Sequence, residues 1–420
     1  MKRFVLILIS LIATTLIYCE SNEEKEVQKN LTAGEILGNP EYQAMSFGGF
    51  RKATRDTVPS VADLKEDLRI LSAMNIKVLR TYNSQQYPHA ENLIKAIHSL
   101  KQEDSSFEMY VMVGAWIDAK NAWTDQPVIH NEESIENNTV EIEAAVRLAN
   151  EYPDIVKMIA VGNEAMVHWA TSYFVTPDII LKWVNHLQDL KKNGLLVEDV
   201  WITSSDNFAS WGGGDSNYHN EDLTSLFEAV DFVSVHTYPF HDSHYNPAYW
   251  VIPEDEANLT EMEQIDLAMI RARDYAISQF TAVKEYMTSL GVDKPIHIGE
   301  TGWASITNSL YGPEGSRATD EYKQRLFYDH MREWTNAEGI SCFYFEAFDE
   351  KWKDKENPLG SENHFGLINL DGEAKYALWD LVNQGAFEGL SRDGKPISKT
   401  YGGNKNDMLK DVLPPTSANN

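Results

Sequence analysis

Cysteine is nearly absent: Cys19 and Cys342 are the two thiols in 420 residues, so no disulfide framework holds this chain together. Basic residues are also scarce. Against 64 Asp and Glu stand 36 Lys and Arg, a net charge of −28, and no basic stripe meets the needs of a phosphate backbone. Nucleic acid is thereby excluded as a partner, whereas a neutral ligand such as a sugar is compatible. Internal repeats and low-complexity linkers are lacking too. What is plentiful is core-forming material: 43% hydrophobic and 11% aromatic residues place the chain among globular proteins. Its length admits either two or three domains or one α/β barrel with insertions.

At the amino terminus Lys2 and Arg3 precede an apolar run over residues 4–17, broken by Ser10, Thr14 and Thr15. The run is shorter than the ~20 residues of a spanning helix and charge follows it at once, which predicts a secretory signal over residues 1–18. Leu16-Ile17-Tyr18-Cys19 resembles a bacterial lipobox, with Tyr18 where a small residue is usual. Cys19 is then the lipidated residue; a plain cleaved signal is the alternative. Ser21-Asn22-Glu23-Glu24-Lys25-Glu26 resembles the acidic export signals of bacterial surface lipoproteins and predicts a solvated tether over residues 19–40. The chain is expected outside the cytoplasm, as an outer-membrane or cell-surface lipoprotein, otherwise periplasmic or secreted. It meets the membrane only through that lipid. Cys342, in an apolar run, reads as a small buried hydrophobe.

Short apolar runs recur at residues 44–49, 76–82, 109–115, 156–164, 200–205, 232–238, 295–300 and 340–348. Longer amphipathic segments separate them, the pattern of a buried parallel sheet covered by helices. Eight such runs predict a single (β/α)8 TIM barrel over residues 41–395, followed by a carboxy-terminal extension, residues 396–420, disordered from Pro414. Helices are expected near residues 61–74, capped by Ser60, and over 91–100, 134–150, 177–192, 265–290, 320–337 and 376–383. A long insertion after strand six, residues 240–263, carries His241, His244, Tyr245, Tyr249 and Trp250. A loop of that length at a barrel mouth is functional or flexible.

Barrel chemistry sits at the carboxyl ends of the strands, where the sequence delivers polar and aromatic groups. They are Arg80 and Tyr82, Trp116 and Asp118, Asn163 and Glu164, Asp206 and Asn207, His236 and Tyr238, Glu300 with Trp303, and Glu346, Asp349 and Glu350. Glu164 and Glu300 each end an apolar strand, where a lone buried carboxylate is costly. Two facing each other suit a shared task, one protonated to assist a leaving oxygen and one ionised to attack a sugar carbon. The plainer reading pairs each with Arg80 or Lys353 as a rim ion pair. His236, His241 and His244 lack the fixed spacing of a zinc site, and neither metal nor cofactor is expected.

Val161-Gly162-Asn163-Glu164, Gly299-Glu300-Thr301-Gly302-Trp303 and the segment from Phe345 through Glu350 to Lys353 resemble the motifs of glycoside hydrolase family seventeen. The likeness runs from Gly48-Gly49 through Arg80-Thr81-Tyr82 to Glu362-Asn363-His364-Phe365-Gly366. It implies a (β/α)8 retaining β-1,3-glucanase with Glu164 as acid/base and Glu300 as nucleophile. It further implies Asn163 on the sugar 2-hydroxyl, Tyr82 and Tyr238 around the cleaved sugar, and Glu350, Lys353 and Glu362 as a charged group that binds hydroxyls and keeps the nucleophile ionised. Trp303 and Phe365 would stack on pyranose faces; for either one, core packing is the plainer fate. The expected protein is a monomeric endo-acting enzyme on laminarin-like β-glucan, a polysaccharide. A β-1,3-glucanosyltransferase of the same family and a surface lipoprotein that only binds glycan are the alternatives. The insertion after strand six departs from the plant members and leaves the subsites open.

Overall fold

The computed structural model describes residues 30–87 and 89–416. The signal, Cys19 and most of the tether therefore lie outside the described residues. Leu31 onward forms one compact unit. Its centre is a closed parallel barrel of eight strands, each paired with the next in sequence and the last with the first. The strands are β1 (Gln43–Ser46), β2 (Ile76–Arg80), β3 (Tyr110–Ala115), β4 (Val156–Asn163), β5 (Trp201–Asn207), β6 (Val233–His236), β7 (Ile296–Gly302) and β8 (Cys342–Phe345). Closure pairs Met45 of β1 with Tyr344 of β8. All eight expected runs are strands.

Around the barrel run α1 (Val61–Ala73), α2 (His89–Glu103), α3 (Ile135–Glu151), α4 (Pro177–Lys192), α5 (Glu221–Ala229), α6 (Glu261–Ser289), α7 (Glu321–Glu338) and α8 (Trp379–Asn383). Local chemistry sets several ends. Ser60 and Asp63 form a capping box on α1, Thr260 and Glu263 another on α6, and Pro177 opens α4, where its missing N–H costs nothing. Helix α5 was not expected: its nine residues offer only Leu223, Leu226 and Phe227 as a buried stripe.

The period of two decides what fills the barrel. Tyr110 and Met112 of β3 and Met158 and Ala160 of β4 pack with Phe343 in an inner cluster. The residues between them, Val111, Val113, Ile159 and Val161, join the larger core under the helices. A one-turn helix, Ala33–Ile36, capped by Thr32 and Glu35, adds Ala33, Ile36 and Leu37 to the inner cluster. The folded unit thus begins ahead of residue 41, because these apolar side chains are better buried than tethered; fully burying one such as Ile36 is worth ~1.5–3 kcal/mol. Toward the mouth the filling becomes small and polar. Ser205 Oγ lies 2.8 Å from Ser234 Oγ, and a Cβ on Gly299 would stand 2.0 Å from Ser234 Oγ, so only glycine fits β7 there.

The insertion after β6 is ordered by its aromatics. It forms a short helix, Pro239–Tyr245, then single turns at Pro247–Tyr249 and Glu254–Glu256, with Trp250 wholly buried and Tyr249 stacked on Tyr275. A second, unexpected insertion after β3 is an antiparallel ribbon of Ala119–Lys120 with Ile129–Glu133.

The extension beyond residue 395 is also packed as far as it is described. Ser398 pairs with Glu373, Met408 and Val412 are buried, and Thr416 accepts from the Ile252 N–H at 3.1 Å. Residues 417–420 lie outside the described residues. Glu321 fastens this extension, accepting from Tyr376 N–H at 2.8 Å and Thr400 Oγ1 at 2.7 Å. Burial pushes its carboxyl up to about 7 from an ordinary 4.5. The folded chain keeps a proton there that the unfolded chain has lost, so this group's stabilisation is full below pH 4.5 and disappears as pH rises through about 7. The difference is on the order of 3 kcal/mol. Glu321→Gln, which cannot ionise, is expected to raise Tm at pH 8 and leave it nearly unchanged at pH 4.5. An equal shift at both pH values in thermal melts would contradict this.

Candidate active site

Glu164 and Glu300 both line one cleft of about 790 Å³ at the carboxyl ends of the strands, together with Tyr238, Asn207 and Glu362. Glu164 is aimed by its own backbone. Gly162 has φ +80° and Glu164 itself φ +44°, a left-handed conformation that is rare for a side-chain-bearing residue and collects at functional sites. The Glu164 N–H donates to Ser205 O at 3.0 Å. Two residues on, the Met166 N–H donates to Asp206 Oδ2 at 2.8 Å, so β5 clamps both sides of the turn. Burial raises the Asp206 carboxyl to about 6, opposed by its bonds from Ser210 and Met166.

Glu300 is 7% exposed and gathers donors from across the barrel. Arg80 Nη1 of β2 donates to Oε2 at 2.5 Å and Tyr82 Oη to the same oxygen at 3.2 Å. Tyr238 Oη donates to Oε1. Burial alone would raise this carboxyl, but His236, Arg80 and the Tyr238 hydroxyl outweigh it and bring it down to about 2. A carboxylate has about four acceptor positions. Three are taken, and the fourth, on Oε1, stays open. Burial, with the charge of Glu300 next, holds both tyrosine hydroxyls well above their usual range, so they stay protonated donors.

Glu164 differs: a quarter of its side chain is exposed, and its partner is His236 Nδ1, 3.1 Å from Oε1. His236 is fully buried and its other nitrogen meets Ser205 Oγ at 2.8 Å. Asn163 Oδ1 accepts from Arg80 Nη2 at 2.6 Å, which orients the amide and leaves its two N–H donors and one lone pair of Oδ1 for other partners. One guanidinium thus aligns Glu300 and the residue before Glu164. The rim ion pair foreseen for Arg80 exists, and it lies inside the site.

Four further expected site residues are placed as follows. Trp303 is wholly buried: its Nε1 donates to Ala318 O at 2.7 Å and its ring packs on Phe240, Trp250 and Phe327. Phe365 is equally buried, supports Tyr238 and Phe345 edge to face, and lines the same cleft as Glu164 and Glu300. Glu350, 2% exposed, accepts from the Phe50 N–H at 3.1 Å and Trp352 Nε1 at 2.9 Å. Lys353 Nζ is bonded to Glu346 Oε2 at 2.9 Å and sits 3.7 Å above the Phe345 ring centre. Burial pulls Lys353 down, yet Glu346 and Glu350 leave it raised. Glu350 and Lys353 brace the end of β8, with Lys353 still within the field of Glu300, while Glu362 lies in the cleft wall. Among the described residues no group of three or more His, Cys, Asp or Glu side chains is arranged to hold a metal ion. His241 instead meets Tyr311 Oη at 3.1 Å.

The sequence family described as the BtgE/BtgC glycoside hydrolase domain matches residues 44–366. The chain is 22% identical over 359 residues to a putative glucan endo-1,3-beta-glucosidase, btgC, of Aspergillus niger, covering 83% of this chain and 44% of that protein. It thus spans under half the length of that relative. To a glucan 1,3-beta-glucosidase of Arthroderma benhamiae it is 24% identical over 332 residues, covering 77% and 86% of the two. Among solved structures, an endo-laminarinase from Formosa Hel1_33_131 is 64% identical with a TM-score of 0.91, covering 92% of this chain and 98% of that one. A glycoside hydrolase family 17 beta-1,3-glucanosyltransferase from Rhizomucor miehei shares the fold at 17% identity and a TM-score of 0.53, covering 80% and 96%.

Proposed function

The chain belongs to the BtgE/BtgC glycoside hydrolase domain family, and from that premise we propose that it is a retaining endo-β-1,3-glucanase of glycoside hydrolase family seventeen acting on laminarin-like glucan. The observation that carries the reading is the asymmetry of two carboxylates in one cleft: Glu300 fixed as an anion by Arg80, Tyr82 and Tyr238, and Glu164 partly open to solvent beside His236. The likeness to an endo-laminarinase at 64% identity supports the substrate.

In this mechanism Glu300 Oε1 attacks the anomeric carbon while Glu164 hands its proton to the departing glycosidic oxygen. The C–O bond breaks as the glycosyl-enzyme ester forms. Glu164, now ionised, then takes a proton from water as that water attacks the same carbon and releases Glu300. Asn163 steadies the 2-hydroxyl, Glu362 binds a further hydroxyl, and Tyr82 and Tyr238 frame the sugar being cleaved. Such a route places the two carboxyls ~5–5.5 Å apart, closer than an inverting pair.

Glu164→Gln is expected to lower turnover of linear β-1,3-glucan by about 10²–10⁴-fold. A dinitrophenyl laminaribioside, whose leaving group needs no proton, should still release its phenolate in a first burst. Equal losses on both substrates would remove the acid role from Glu164.

A sugar hydroxyl competes with water for the same ester, so products longer than the starting oligosaccharide in a mass-resolved time course would make the enzyme a transglycosylase. No change in any β-glucan would return the protein to glycan binding alone. We further propose that it works as a monomer outside the cytoplasm, anchored through Cys19. Among the described residues no helix is long and apolar enough to cross a membrane.

A further inference from the structure

Two tryptophans near the cleft stand open: Trp169 is 59% and Trp123 57% exposed. We propose that Trp169, Tyr173 and Trp123 form an aromatic ledge that receives successive pyranose rings of the glucan on the leaving-group side of the cleaved bond. This rests on the glucanase reading above.

The ledge is built rather than incidental. Trp123 has φ +61° and its neighbour Asn121 φ +67°, left-handed backbone that a bulky residue avoids unless the surroundings impose it. The indole Nε1 donates at 2.9 Å to Asp118, which is 2% exposed and also accepts from Trp116 Nε1 at 2.7 Å. One face of Trp123 lies on Tyr173, centroids 5.2 Å apart and planes 21° apart, while Trp116 tilts against Tyr173 with planes 46° apart. The polar edge of the indole is therefore satisfied inside and one broad apolar face is held outward. That arrangement suits the C–H faces of a pyranose, which has apolar faces and a polar rim.

Two backbone bonds tie the ribbon after β3 to the loop after β4. The Ala119 N–H donates to Tyr173 O at 3.1 Å and the Thr176 N–H to His130 O at 3.0 Å. The two segments thus present their aromatics as one surface.

Its side of the cleft follows from the chemistry. Trp169 lines the cleft with Glu164, and the loop that carries Trp169 and Tyr173 is tied to the Glu164 turn by the Val175 N–H, which donates to Ala165 O at 2.7 Å. Glu164 serves the departing oxygen, and Tyr82 and Tyr238 surround Glu300. Rings reaching Trp169 and then Trp123 therefore belong to the departing, reducing-end portion. A neutral polymer is the matching ligand, since a chain of net charge −28 repels an anionic one.

The test is kcat/KM for linear β-1,3-gluco-oligosaccharides of increasing length, with the reducing end labelled to locate the bond cut. In wild type, kcat/KM should rise about tenfold at the length that first reaches Trp123. Trp123→Ala should erase that step and move the cut toward the reducing end, and Trp123→Phe should keep most of it. Trp169→Ala, at a position that leaves Asp118 undisturbed, should lose an earlier step. Wild type and both alanine variants cleaving with the same length profile would overturn the ledge alone. A wild type that cleaves none of the lengths would overturn the glucanase reading and the ledge with it.

Discussion

Glu300→Ala is expected to lower kcat on linear β-1,3-glucan by at least about 10⁴-fold, with glucan binding nearly unchanged, because the carboxylate that forms the ester is gone while the walls of the cleft remain. The geometry adds a sharper expectation. Arg80, Tyr82 and Tyr238 hold that carboxylate in wild type, so in the variant three donors face a vacated anion position. Added azide should enter there, attack from the nucleophile's face and give the α-glycosyl azide, whereas an alanine at Glu164 with azide should give the β-azide. Product NMR reads the difference. The β-azide from Glu300→Ala would exchange the two roles, and retention of wild-type turnover would remove Glu300 from the chemistry.

The second large effect concerns Arg80. Its guanidinium bonds Glu300 and Asn163 at once, and Glu300 owes its value of about 2 to His236 and Arg80 against the opposing push of burial. In Arg80→Met that push is less opposed, so the Glu300 carboxyl rises. Protonated Glu300 cannot attack. The acid limb of the kcat/KM profile, which reports the free enzyme, is therefore expected to move to higher pH, with kcat/KM at neutral pH down about 10²–10³-fold. Leaving the buried carboxylate without its cation should also cost about 3–5 kcal/mol of stability while it is ionised. Thermal melts should show the variant closest to wild type at acid pH, where protonation removes the unpaired charge. An unmoved acid limb would mean that His236 and the tyrosines suffice, and Arg80 would then be an alignment group only.

The barrel was legible because each strand is an apolar run ended by polar residues, a local pattern that survives folding. The two glutamates were legible for the same reason, each ending such a run. The partners of Glu300 were less so. Arg80 and Tyr238 stand 158 residues apart in the chain; β6 is the neighbour of β7, but only barrel closure brings β2 across to them. Aromatics were harder, because the sequence does not say which way a ring turns: Trp303 follows Glu300 yet is wholly buried, the plainer of its two readings, while Trp123, between the third and fourth apolar runs, is 57% exposed. Glu350 and Lys353 were legible as a charged group after the last strand, but not their partners, since Phe50 and Glu346 meet them only in the closed barrel. The early start of the fold did leave a signal, since Thr32 and Glu35 have the spacing of the capping box they form; the acidic residues before them masked it.

The central claim is a covalent intermediate on Glu300 with Glu164 as acid/base. Its most direct test is proton NMR of the first minutes of linear β-1,3-glucan cleavage, before mutarotation scrambles the new reducing ends. Double displacement at one carbon predicts the β-anomer first, with the α-anomer appearing only at the rate of mutarotation. An initial α-anomer would mean single displacement by water and would contradict the assignment of Glu300 as nucleophile.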